Sequence, residues 1–66
     1  MDIRLNNKPY KLKDNSTLDD LIQNLKLDPD TVVTEVNLQI TKKQKRKETL
    51  LKNGDRVEII TFMGGG

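Results

Sequence analysis

The stretch RVEIITF at residues 56–62 decides the fold of this 66-residue chain. Valine, isoleucine and threonine favour extended backbone, because their branched side chains pack better on a pleated sheet than on a helix. Val57 and Ile59 share one face of such a strand, and Ile60 and Phe62 share the other. A strand that is apolar on both faces is predicted to lie in the middle of a sheet.

The N-terminal residues predict a hairpin. Ile3 and Leu5 alternate with polar residues, which is the period-two pattern of a half-buried strand. Residues 6–9 read NNKP, and asparagine tolerates the left-handed backbone that a tight turn needs. Tyr10 and Leu12 are therefore expected to continue as a second strand.

A short amphipathic helix is predicted next. Ser16 with Asp19 three positions later resembles a capping box, in which a hydroxyl and a carboxylate satisfy the first backbone N–H groups. The apolar residues that follow have helical spacing and form one stripe: Leu18, Leu21, Ile22 and Leu25. Leu27 is expected to fill the core at the helix end, and residues 28–30 (DPD) break the chain.

The second half of the chain predicts further strands. Residues 32–36 are β-branched at every position but one, and Ile40 can begin a short strand. Residues 41–49 contain no apolar residue and are expected to lie on the surface. Asn53 and Gly54 form a strong turn signal before the last strand.

This order of elements predicts an α+β fold, the β-grasp or ubiquitin-like arrangement. The sheet would be mixed, with four to five strands and one main helix packed on one face. Its first and last strands would pair in parallel at the centre, with the helix in the crossover between them. We expect one domain over residues 1–63 and a flexible Gly-Gly tail over residues 64–66.

Composition argues against several classes of function. The chain has no cysteine and no histidine, so the usual nucleophile–base assemblies and the thiolate and imidazole metal ligands are absent. The acidic pairs Asp19 with Asp20 and Asp28 with Asp30 are explained by helix capping and a turn. We therefore predict a non-enzymatic protein that binds no metal and no cofactor.

The basic residues are unevenly distributed. Residues 42–47 hold five of the twelve lysines and arginines, within a net charge of +2. Such a run favours a solvated surface, with steering toward an acidic partner as the functional alternative. Binding to nucleic acid is a more distant reading, because no aromatic residues are interleaved. No apolar run approaches the length of a membrane span and no signal peptide is evident, so a soluble, cytoplasmic protein is expected.

The sequence ends in Gly64, Gly65 and Gly66. Terminal glycines are often only a disordered tail. Directly after a strand, however, a tail without Cβ atoms can be threaded through a narrow active site of another protein. Its carboxylate could be activated by ATP as an acyl adenylate, and attack by a sulfur nucleophile would leave a thiocarboxylate.

The segments EVN at residues 35–37 and GDRVEIITFMGGG at residues 54–66 resemble the thiamine-biosynthesis sulfur carrier family. The resemblance spans essentially the whole chain. It implies that a ubiquitin-activating-like adenylyltransferase uses ATP to adenylate Gly66, that a sulfur donor enzyme converts the adenylate to a thiocarboxylate, and that thiazole synthase receives the sulfur. Gly65 and Gly64, which have no side chains, would let the tail and its terminal carboxylate enter the partner's active site without steric obstruction.

Two questions stay open at this level. Ile60, Phe62 and Met63 could form a docking surface on the open face of the sheet, or Phe62 could pack as core against Leu50 or Leu51. The fold and the diglycine end are also compatible with a molybdenum-cofactor sulfur carrier or a ubiquitin-like modifier. Conjugation to lysine would distinguish a modifier from a carrier.

Overall fold

A computed structural model describes residues 1–62 as a five-stranded mixed sheet with one α-helix on one face. The strands are β1 (Asp2–Leu5), β2 (Lys8–Lys11), β3 (Val32–Val36), β4 (Gln39–Thr41) and β5 (Arg56–Thr61), and the helix is α1 (Leu18–Asn24). Two 3-10 helices, Pro29–Thr31 and Lys43–Glu48, flank β3 and β4. The strand order is β2-β1-β5-β3-β4, with β5 parallel to β1 and antiparallel to β3. The β-grasp prediction and the central position of the last strand are confirmed.

The core lies between α1 and one face of the sheet. Val57 and Ile59 of β5 point into it, with 0% and 6% of their surface exposed. The predicted helix stripe supplies the opposite side, and Leu25 packs at its margin. The buried apolar set is Ile3, Leu12, Leu18, Leu21, Ile22, Val32, Leu51, Val57 and Ile59. Because this core is small, the stability margin of the domain is thin.

Both predicted glycine and asparagine turns are present. Asn6 and Asn7 join β1 to β2 with φ values of 49° and 69°, two successive left-handed residues that match the twist of a tight hairpin. Gly54 precedes β5 with φ of 87°, where a side chain would be strained.

The capping box lies one residue later than predicted. Thr17, not Ser16, is the N-cap, and its Oγ1 accepts from the Asp20 backbone N–H at 3.1 Å. The Asp20 carboxylate accepts in return from the Thr17 backbone N–H at 2.9 Å. Ser16 is instead buried and donates to the Lys13 carbonyl at 2.7 Å. The prediction of Ser16 with Asp19 was wrong because two hydroxyl residues precede two acidic ones, and the register of Leu18 selects the second pair.

Thr17→Ala is expected to destabilise the domain by about 1 kcal/mol, because it removes the hydroxyl that satisfies the Asp20 N–H. Urea denaturation measures the loss. Thr17→Ser is the matched control, since it keeps the hydroxyl and should keep most of the stability. Equal losses in the two variants would contradict a capping role.

The prediction that residues 41–49 all lie on the surface was wrong at one position. Within the 3-10 helix Lys43–Glu48, the Arg46 side chain turns inward and is only 3% exposed. Its guanidinium donates to the Pro29 and Val32 carbonyls, both at 2.8 Å, and its Nε donates to Thr34 Oγ1 at 3.3 Å. We call residues 42–47 the basic segment. Arg46 connects this segment to β3 and the residues before it by donating to uncharged oxygen atoms.

Candidate functional site

The candidate site is built on the end of β5. Val32 of β3 pairs with Thr61, and the Phe62 N–H donates to the Thr31 carbonyl at 3.0 Å. The central strand is thus held to the last residue that the structure describes. Met63, the three glycines and the predicted boundary between residues 63 and 64 lie outside the described residues.

Asn6 extends the pairing of β5 beyond the end of β1. The β1–β5 ladder pairs Arg4 with Arg56 and Leu5 with Val57, and the Asn6 backbone N–H donates to the Val57 carbonyl at 2.9 Å. Further along, Asn6 Oδ1 accepts from the Ile59 N–H at 2.8 Å, and its Nδ2 donates to the Ile59 carbonyl at 3.2 Å. The side chain substitutes for a strand neighbour. Sequence reasoning assigned Asn6 to the turn and missed this second contact.

Asn37 fixes the beginning of β5. Its Oδ1 accepts from the Arg56 N–H at 3.0 Å, and its Nδ2 donates to Asp55 Oδ1 at 3.1 Å. Its φ of 51° lies in the left-handed region, which asparagine tolerates in turns. The last residue of the EVN segment, Asn37, therefore fixes the start of β5 by hydrogen bonds.

The sheet face away from α1 carries an exposed apolar surface. Ile60 is 53% exposed, Phe62 is 49% exposed and Val33, directly opposite Ile60 in the β3–β5 register, is 37% exposed. We call these three residues the open patch. The predicted exposure of Ile60 and Phe62 is confirmed, and the alternative in which Phe62 packs as core against Leu50 or Leu51 is wrong. An exposed apolar patch is typical of a protein-binding surface.

The basic segment lies on the other side of the molecule, next to α1. Lys43 forms an ion pair with Asp30, and Lys45 forms one with Glu48 at 3.6 Å. A groove of about 540 Å³ runs between α1 and this 3-10 helix, with Lys43 and Lys47 on its wall. With Arg46 buried and two lysines paired, the segment does not present the unbroken basic surface expected of a nucleic-acid site.

Residues 1–62 contain neither a group of side chains that could hold a metal ion nor a membrane-spanning helix. In this part of the chain, no three aspartate or glutamate side chains lie close enough together to hold a metal ion. The helices of the same residues are too short or too polar to cross a membrane.

Comparison with known proteins agrees with this geometry. The model of the ThiS family matches residues 3–66. The sulfur carrier protein ThiS of Bacillus subtilis is 37% identical over 65 residues, which cover 97% of this chain and 98% of that protein. A crystal structure of the thiamine biosynthesis protein ThiS from Geobacter metallireducens superposes with a TM-score of 0.85 at 30% identity, covering the whole of both chains.

A second kind of relative is much longer. A thiazole synthase of Magnetococcus marinus is 30% identical over all 66 residues, and this chain spans 20% of that protein's length. The family match and the full-length carrier relative give one conclusion: the chain belongs to the ThiS family.

Proposed function

We propose that this chain is a sulfur carrier of thiamine biosynthesis, and that the carboxylate of Gly66 holds the sulfur. The observation that carries the proposal is the exposed apolar patch at the end of the central strand β5. In the sequence, this strand is followed closely by three glycines, and the chain is a member of the ThiS family. The chain then acts as a substrate and handle for other enzymes, and not as a catalyst itself.

The chemistry follows from the carboxylate. Its oxygen attacks the α-phosphorus of ATP, pyrophosphate leaves, and an acyl adenylate forms in the active site of a ubiquitin-activating-like adenylyltransferase. A sulfur nucleophile from a donor enzyme then attacks the acyl carbon and displaces AMP. If the nucleophile is hydrosulfide, the C–S bond forms as the C–O bond to AMP breaks, a proton is lost, and Gly66 is left as a thiocarboxylate. If it is a cysteine persulfide of the donor, an acyl disulfide forms, and a thiol must reduce its S–S bond to release the thiocarboxylate, leaving the thiol and the donor cysteine joined as a disulfide. ATP belongs to the activating enzyme, which favours a cytoplasmic location.

The enzyme that receives the sulfur is thiazole synthase in this proposal. Support comes from two proteins of that name, from Magnetococcus marinus and Paramagnetospirillum magneticum, which contain a segment 30% identical to this whole chain. A carrier and its acceptor that occur within one polypeptide are expected to meet when they occur as two.

Covalent geometry limits where partners dock. Four residues follow Phe62, and a fully extended chain spans at most about 3.5 Å per residue, so Gly66 reaches about 14 Å beyond it. The active site of any partner must come within that distance of the end of β5. The open patch includes Phe62 itself, so we propose that partners dock on Val33, Ile60 and Phe62, and that Met63, the next residue in sequence, contributes as well.

Intact mass tests the proposed chemistry. The purified chain is incubated with ATP, the adenylyltransferase and a sulfide source, and a mass increase equal to one exchange of oxygen for sulfur is expected. A chain lacking Gly66 is the control and should show no increase. Absence of the increase with a demonstrably active enzyme would overturn the proposal.

Phe62→Ser is expected to weaken binding to the adenylyltransferase about tenfold while sparing the fold. The ring is half exposed, so its loss removes contact area from the partner and little from the core. Titration calorimetry gives the affinity and urea denaturation gives the stability. Leu50→Ser is the matched control, because Leu50 is 56% exposed but lies off the open patch. Unfolding of Phe62→Ser, or unchanged affinity, would contradict the docking role.

A further inference from the structure

The open face of the sheet holds two carboxylates in direct opposition. Glu35 of β3 faces Glu58 of β5 in the antiparallel register, and both residues are half-buried. Side chains directly opposite in such a pair lie about 5 Å apart at Cβ, and like charges there destabilise the sheet. We therefore expect the opposition of Glu35 and Glu58 to lower the stability of the free chain.

Apolar side chains border the acidic pair on two sides. Ile40 of β4 lies opposite Glu35 and is 70% exposed. Val33 and Ile60 form the next row along β3 and β5. A partner that covers this surface would remove water from the carboxylates, and charge interactions strengthen when water is excluded.

Within the described part of the chain, no basic group forms an ion pair with either glutamate. The ion pairs within residues 1–62 join other groups. Arg4 at the same end of the sheet donates to the Asn7 carbonyl at 2.9 Å. Arg56 lies two positions before Glu58 on the same face but makes no ion pair with it.

We infer that Glu35 and Glu58 receive an arginine or lysine of thiazole synthase when that enzyme docks on the open patch. This inference rests on the proposed function. It adds that the partner's docking surface carries a basic side chain next to apolar side chains. Such a cation would donate charge-assisted hydrogen bonds to both carboxylates and would offset their repulsion. A guanidinium fits two carboxylates better than an ammonium, because its donors are arranged in a planar fork.

The test uses Glu35→Gln, Glu58→Gln and the double variant, with thiazole synthase as the binding probe. Glutamine keeps the shape and removes the charge. We expect the urea midpoint of the double variant to rise, because repulsion is lost. We expect its dissociation constant to increase about tenfold or more, since a covered cation loses its partners, and binding to become less sensitive to salt.

Glu48→Gln is the matched control. It changes the net charge by the same amount as either single variant but lies on the 3-10 helix Lys43–Glu48, next to α1. Its affinity for thiazole synthase should equal that of the unmodified chain. Equal affinity of the double variant and this control would overturn the inference, and so would failure of the unmodified chain to bind thiazole synthase.

Failure of the inference is distinguishable from failure of the proposed function. Docking is measured as binding, and the carrier chemistry is measured as the mass increase on Gly66. A chain that binds through the glutamates but never gains sulfur would retain the inference and lose the proposed function. A chain that gains sulfur while the double variant binds normally would do the reverse.

Discussion

Replacing Arg46 with methionine is expected to lower the free energy of unfolding by about 3 kcal/mol, because the substitution leaves buried acceptors without donors. The Arg46 side chain is 3% exposed, and its bonds to the Val32 carbonyl and Thr34 Oγ1 are buried, whereas its bond to the Pro29 carbonyl is partly buried. A small domain has only about 5–15 kcal/mol in total, so this loss is a large fraction.

Lys47→Met is the matched control for this prediction. Lys47 lies on the same 3-10 helix, is exposed, and loses the same charge on substitution. Urea denaturation of both variants should show a large loss for Arg46→Met and little change for Lys47→Met. Arg46→Lys keeps the charge but lacks the planar fork, so it should fall between them. Similar stabilities for the two methionine variants would mean that the buried hydrogen bonds contribute little.

Loss of Arg46 should also loosen β3 locally. Its Nε donates to Thr34 Oγ1, and that hydroxyl donates in turn to the Thr41 carbonyl at 2.9 Å, so the arginine and the β3–β4 pair share one network. Hydrogen exchange at Thr34 and its neighbours should accelerate more than exchange in β1. Uniform acceleration across the sheet would indicate a global effect alone.

The sequence was informative where local pattern and burial coincide. Val57 and Ile59 alternate with Ile60 and Phe62, and this two-sided pattern was sufficient to predict a central strand. The stripe that includes Leu21 predicted the buried face of α1 for the same reason. These signals are local, because each depends on spacing within one element and not on what lies across the fold.

Long-range polar contacts were not predictable in this way. Arg46 occurs in a lysine run without periodicity, and its acceptors Pro29 and Val32 lie 17 and 14 residues away. Asn6 and Ile59 are separated by 53 residues. A single asparagine or arginine shows nothing in sequence that separates a solvated side chain from one that bonds to a distant backbone group.

In the candidate site, too, local features were predictable from the sequence and long-range pairings were not. Strand alternation placed Ile60 and Phe62 on the same face, but it left open whether Phe62 is exposed or packs against Leu50 or Leu51, and the structure decided for exposure. The opposition of Glu35 and Glu58 required the register between β3 and β5, which the sequence does not specify. Physical reasoning also left the thiamine and molybdenum carriers unresolved, and the family match decided in favour of the ThiS family.

Gly65→Val is expected to slow sulfur loading of the chain by about 100-fold or more without changing the stability of the domain. Valine adds a branched side chain next to the reacting carboxylate and restricts the backbone angles available to the tail. Misplacement of a reacting group by about 1 Å costs on the order of 10²-fold in rate. The substitution lies beyond Phe62 and the buried residues, so urea denaturation should match that of the unmodified chain.

The rate of thiocarboxylate formation, followed by intact mass at saturating adenylyltransferase, measures this effect. Gly64→Val is the matched control: a defect confined to Gly65 would assign clearance to the residue next to Gly66, and equal defects would extend it to both. Normal loading of Gly65→Val would remove the role assigned to Gly65. A docking defect such as Phe62→Ser is overcome by raising the concentration of the enzyme, whereas a tail defect persists at saturation. The two halves of the site, the open patch and the glycine tail, can therefore be separated in one assay, because docking limits how much complex forms and clearance limits how fast the complex reacts.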